Sequence, residues 1–140
     1  MFKLSFLSLF VLSFQSIFAQ QAADTTNNAT SGARIEFSND TYDFGDIFQG
    51  DQVEHVFTFK NTGNAPLVLQ GVITTCGCTA PKWPKEPIAP GEEGEIKILF
   101  NSSGRMGWQN KIITVRSNAY NADLRLKISA MVIPSKKRGG

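Results

Sequence analysis

A chain of 140 residues with 41% hydrophobic side chains has room for one modest domain built on one core. A formal charge of +2, with no basic stripe through the body of the chain, argues against a nucleic-acid binder. Eleven Phe and two Trp skew the core toward aromatic, β-type packing.

The chain opens with Met1-Phe2-Lys3, a positive start, followed by an apolar run from Leu4 to Phe18 diluted only by Ser and Gln15, with Ala19 as a small residue before Gln20. This pattern predicts a signal peptide over residues 1–19, with Ile17 a tolerable occupant of the position two before the cut. The run is too short to span a bilayer comfortably and no second apolar stretch follows, so no membrane span is expected after cleavage. The leader holds no Cys for lipid modification. The expected location is outside the cytoplasm, periplasmic or secreted, where disulfides are permitted. Residues 20–33, QQAADTTNNATSGA, have no apolar periodicity and read as a flexible linker.

From Arg34 to Pro134 the sequence is a series of short alternating stretches punctuated by Gly, Pro and Asn. Strands are expected at Arg34–Phe37, Tyr42–Phe48, Val53–Lys60, Leu67–Thr75, Glu95–Phe100, Lys111–Ser117 and Leu124–Val132. In the third, Val53, His55, Phe57 and Phe59 share one face. In the fifth, Ile96, Ile98 and Phe100 point inward, and in the last Leu124, Leu126, Ile128 and Ala130 do so. Such a series predicts an all-β, immunoglobulin-like sandwich of about seven strands with Greek-key connections, a barrel being the alternative. Residues 135–140 form a basic tail, with Lys136, Lys137 and Arg138. It reads first as solvated, and second as attracted to a membrane surface.

Cys76-Gly77-Cys78 contains both cysteines of the chain. Gly77 can adopt the tight turn that brings the two together, so a local disulfide is available in an oxidising compartment. A disulfide or inert pair is the first reading. A soft-metal site, copper(I) most naturally, is the second, since two thiolates at this spacing can grip one ion. A redox-active pair, or a disulfide to a partner, is the third. Zinc would need four ligands, and two Cys with one His fall short. That one histidine, His55, reads as a partly buried, hydrogen-bonded core residue, with a metal ligand beside Cys76 and Cys78 as the alternative.

The connection TAPKWPKEPIAPG places Pro81, Pro84, Pro87 and Pro90 at every third position, the period of polyproline II. It is expected to be a stiff crossover unable to join a central strand, with Trp83 as a possible exposed anchor. Trp108 is expected in a second Gly-rich loop, Ser103-Gly104-Arg105-Met106-Gly107-Trp108. Were both tryptophans to emerge at one end of the sandwich, they would make a recognition patch. Asp43-Phe44-Gly45 matches the kinase metal-binding tripeptide without any other kinase element, and Asp40, Asp43 and Asp46 lack calcium-loop spacing. No catalytic assembly can be built around anything but His55, so the chain is expected not to be an enzyme and to hold no cofactor.

Phe44-Gly45, Phe59-Lys60-Asn61-Thr62-Gly63, Cys76-Gly77-Cys78-Thr79 and Ile88-Ala89-Pro90-Gly91 together resemble a family of exported bacterial proteins known as domain of unknown function 1573, over roughly Ile35 to Val132. Phe57 to Gly63 is also similar to the opening of the immunoglobulin-like modules grouped with major sperm protein and cilium-associated proteins, the ASH type. The resemblance implies the same sandwich and no activity. The function expected is a non-catalytic module binding another envelope protein or a surface polymer, with copper handling or thiol redox at Cys76 and Cys78 as the alternative.

Overall fold

Alternation of apolar and polar residues drives eight strands, and their pairing closes two four-stranded sheets over one core. The computed structural model describes residues 31–135. The expected leader at 1–19, most of the expected linker and nearly all of the basic tail lie outside them. The strands are β1 (Ile35–Phe37), β2 (Thr41–Phe48), β3 (Gln52–Asn61), β4 (Leu69–Thr74), β5 (Thr79–Lys82), β6 (Glu93–Asn101), β7 (Gly107–Ser117) and β8 (Leu124–Ile133). One sheet has the order β1-β3-β6-β5 and the other β2-β8-β7-β4. All pairings are antiparallel except β2 with β8, which is parallel. The first strand region therefore starts in one sheet and switches to the other after Ser38. This is an immunoglobulin-like β-sandwich.

The inward faces follow the period of two. Phe57, Phe59, Ile96, Ile98, Phe100, Ile113, Val115, Leu126, Ile128, Ala130 and Val132 are all buried, and burial of each large side chain contributes roughly 1.5–3 kcal/mol. Phe59 lies directly opposite Gly94 in the β3–β6 ladder, and its ring occupies the space a side chain at Gly94 would need.

Two sequence expectations change. The proline-rich connection contains an eighth strand, β5, with Pro81 inside it. Asn101 N–H donates to Cys78 O at 2.9 Å, so bonded pairs alternate to Ala80 and Lys82. Pro81, opposite Ile98, occupies a position needing no donor, on an edge strand where proline is tolerated. The second change is that β7 begins at Gly107, so Trp108 lies in the strand opposite Met131 rather than in a loop.

The tripeptide Asp43-Phe44-Gly45 proves to be a β-bulge. The β2–β8 register slips between Asp43 and Asp46, Gly45 takes φ 68°, and its N–H donates to Asp43 Oδ1 at 2.9 Å. Only glycine enters that backbone region freely.

Candidate functional site

Cys76 and Cys78 form a disulfide with their Cα atoms 5.3 Å apart, inside the ordinary range for such a bridge. The loop carrying it crosses from the end of β4 to the start of β5. Thr74 Oγ1 lies 3.1 Å from Cys76 O and 3.3 Å from Thr79 O, and Thr79 N–H donates to Cys76 O at 3.3 Å. A ring spanning one intervening residue removes little entropy from the unfolded chain, so its contribution falls near the low end of the ~0–5 kcal/mol range for disulfides. With both sulfurs bonded to each other, the thiolates that copper(I) would require exist only after reduction.

His55 is not brought to the cysteines. It sits on β3, and the Cys76–Cys78 loop leads into β5, with β6 between them. Among the described residues no three His, Cys, Asp or Glu side chains converge where a metal ion would sit. His55 is instead stacked on Tyr42, with ring centroids 3.7 Å apart and planes at 11°, and meets the edge of Phe57 at 4.6 Å. The sequence reading gave it a hydrogen-bonded place in the core; aromatic packing across the seam between the sheets holds it.

Burial lowers the His55 pKa below the ordinary imidazole value of 6.5. The unfolded chain thus takes up this proton before the folded one. Stability linked to His55 is complete above pH 6.5 and declines as pH falls from there toward the folded-state pKa. His55→Phe keeps the stack and removes the titration. Its urea midpoint is expected to fall less than that of the parent between about pH 8 and about pH 5, where histidine changes charge. Equal falls would show that the ring titrates alike in both states.

The two tryptophans do not share an end of the molecule. Trp83 follows β5, which runs from Thr79 opposite Phe100 to Lys82 opposite Lys97, away from the end where β6 passes into β7. It is half-buried against the core, and Lys85 Nζ lies 3.1 Å from its ring centroid, a cation–π contact. Trp108, 63% exposed, is on the other sheet at the opposite end.

Two features escaped the sequence. The first is an uncovered edge. β1 pairs with β3 only from Asn61 to Phe59, with one further bond from Ser38 N–H to Thr58 O at 3.0 Å. Even-numbered β3 residues carry these β1-side bonds, since Thr62 N–H also donates to Arg34 O. By the same alternation Glu54 and Val56 aim their backbone N–H and C=O away from β6, where the chain has already switched sheets. The other edge strands are blunted: β2 by its bulge with Asp43 and Asp46, β4 by the register shift between Leu69 and Gly71, and β5 by Pro81 and its four residues. The second feature is an outward apolar cluster on the β2-β8-β7-β4 sheet. Phe48 lies opposite Ile133, and Trp108 opposite Met131. An outward apolar residue carries no signal of its neighbours until strand pairing is known.

Three solved structures share this architecture. A protein of unknown function from Porphyromonas gingivalis W83 matches at TM-score 0.63 and 23% identity, over 74% of this chain and 48% of that one. The chain thus spans about half the length of that structure. The ASH / PapD-like domain 7 of human CEP192 matches at TM-score 0.62 and 13% identity, over 86% of this chain and 98% of that one. The secreted serine protease VesC from Vibrio cholerae matches at TM-score 0.52 and 16% identity, over 75% of this chain and 24% of that one. At these identities the likeness is one of fold, and a fold shared with part of a protease does not decide activity. No match was found among curated proteins. The chain's own residues 35–132, from the start of β1 to the last residue but one of β8, match the family described as "Protein of unknown function (DUF1573)", and the chain belongs to that family.

Proposed function

We propose that this chain is a non-catalytic recognition module of the cell envelope, which takes an extended segment of another envelope protein along the uncovered edge of β3. The observation carrying this reading is the half of that strand where Glu54 and Val56 present backbone donors and acceptors with no strand among the described residues opposite them. A partner strand added there gains main-chain hydrogen bonds, and the neighbouring hollow lined by Ser38, Asn39, His55 and Val56 offers side-chain selectivity. The apolar leader after Lys3 supports an exported location. The groups best suited to chemistry support a binding role: both cysteines close on each other and His55 is occupied by aromatic stacking.

A photoreactive residue at position 54, expressed in the native host, is expected to capture one other envelope protein, while the same residue at Arg125 captures none. Val56→Pro removes the edge donor without touching a β3–β6 bond. It is expected to cut the capture about tenfold while lowering stability by no more than ~1 kcal/mol. Capture undiminished by Val56→Pro, or capture of the chain itself alone, would overturn this reading.

A further inference from the structure

The Cys76–Cys78 bridge closes over a single residue and adds little stability. Nor does it hold the loop. Thr74 Oγ1 secures the carbonyls of Cys76 and Thr79, Thr79 N–H returns to Cys76 O, and Asn101 N–H fixes Cys78 O from β6. None of these bonds uses a sulfur, so the shape of the turn does not depend on the bridge being closed.

The surroundings of the sulfurs do not suit an inert bridge. Thr79 is 4% exposed, and a hydroxyl buried so far needs a hydrogen-bond partner. Among the described residues, Thr79 Oγ1 has only the two sulfurs, Cys76 Sγ at 3.8 Å and Cys78 Sγ at 3.9 Å. The backbone N–H of Cys78 is directed to the same place, donating to Cys76 Sγ at 3.3 Å. A disulfide sulfur is a weak acceptor and a thiolate a strong one, so both donors gain most once the bond opens. Cys76 and Cys78 are half-buried, while Thr75, Gly77 and Ala80 around them are exposed, which leaves the bridge within reach of another molecule's thiol. Cys78 packs against the core, so Cys76 is the sulfur an incoming thiol meets.

We propose that Cys76-Gly77-Cys78 is a thiol–disulfide exchange site, which takes two electrons from the dithiol of a partner protein. One thiolate of the partner attacks Cys76 Sγ. A partner–Cys76 disulfide forms, the Sγ–Sγ bond breaks, and its electron pair leaves on Cys78 Sγ beside the Thr79 hydroxyl. The partner's second thiolate then attacks the partner sulfur of the mixed disulfide and releases Cys76 as a thiolate, held by the Cys78 N–H and Thr79 Oγ1. The two protons lost from the partner's thiols pass to Cys76 and Cys78. The partner's dithiol ends as a disulfide and the bridge as two thiols. Each exchange uses up one bridge, so the site is stoichiometric and compatible with a non-catalytic module. β6 separates it from the uncovered edge of β3, and neither reading requires the other.

Glutathione serves as the probe, on the full chain. In glutathione redox buffers at about pH 9, above the ordinary thiol value, Thr79→Val is expected to shift the equilibrium about tenfold toward the bridge, through loss of one hydrogen bond to a charged sulfur. Thr79→Ser is expected to restore the parental equilibrium. Alkylation followed by intact mass reads the fraction reduced. Single cysteine variants test which sulfur is attacked. Cys78→Ser, which leaves Cys76, is expected to form its mixed disulfide with oxidised glutathione about tenfold faster than Cys76→Ser. Should Thr79→Val fail to fold, this comparison carries the test alone. A folded Thr79→Val chain that equilibrates like the parent would overturn the proposal and make Thr79 a packing residue beside a structural bridge. Equal rates for the two cysteine variants would overturn it as well.

Discussion

Asn61→Leu is expected to lower the stability of the fold by ~3–5 kcal/mol, the largest effect of any single polar substitution in the described chain. Asn61 is fully buried although it opens a polar stretch, Asn61-Thr62-Gly63-Asn64. Its Nδ2 donates to Ala65 O at 2.8 Å and to Ile88 O at 2.9 Å. Its Oδ1 accepts from Gly63 N–H at 3.0 Å and from Arg34 N–H at 3.4 Å. One amide thus ties together the entry to β1, the turn after β3 and the loop before β6. Leucine fits the volume and leaves Ala65 O and the Arg34 and Gly63 N–H groups without this partner, at ~1–3 kcal/mol apiece before water relieves some of them, while Ile88 O keeps the Leu67 N–H. Asn61→Asp separates the donor role from shape. It keeps the acceptor oxygen but sets a second acceptor, in place of the donor, against Ala65 O and Ile88 O, so it is expected to destabilise the fold at least as much as leucine. Urea unfolding at constant slope reads both values; an aspartate variant near parental stability would show that the contacts to Ala65 and Ile88 carry little.

The second large effect belongs to a pair. Phe59 is buried and lies across from Gly94. A Cβ added at Gly94 would overlap the ring at Cζ and approach Cε2 and Cε1 at 2.9 and 3.0 Å. Phe59→Ala empties that space and is expected to cost ~3–5 kcal/mol. Gly94→Ala overfills it and is expected to cost ~1–3 kcal/mol. The two errors have opposite sign in volume, so they should offset one another. Phe59→Leu with Gly94→Ala is expected to be more stable than the sum of its single variants by about 1 kcal/mol. The double-mutant cycle checks this by thermal or urea melts. Strict additivity would mean that the ring moves aside freely, and that Gly94 is required for some other reason.

Much of the candidate site was hidden by the same limitation that concealed Asn61. Cys76-Gly77-Cys78 was legible because its chemistry lies within three consecutive residues, and a local turn suffices to join them. His55 was legible as a residue of the inward face of β3, but its partner Tyr42 comes from the other sheet, so the stack could not be anticipated. Trp83 and Trp108 drew attention as aromatic residues near glycine and proline. Their separation to opposite ends follows from strand directions that no local window contains. Phe48 and Met131 drew none, because each is a single apolar residue on the wrong face of its strand.

What the sequence determined by itself was the fold class, the inward faces of β3, β6 and β8, and the place of the chain in its family of unknown function by its motifs. Those properties depend on a period of two and on short contiguous words, both of which act over a few residues. The tertiary structure alone decided that β5 exists, that β1 stops short and uncovers β3, and that Phe48, Met131, Ile133 and Trp108 share one surface. Each is a matter of register between strands distant in the chain. Register is set by the joint burial of both sheets, a property of the whole core that no single strand contains.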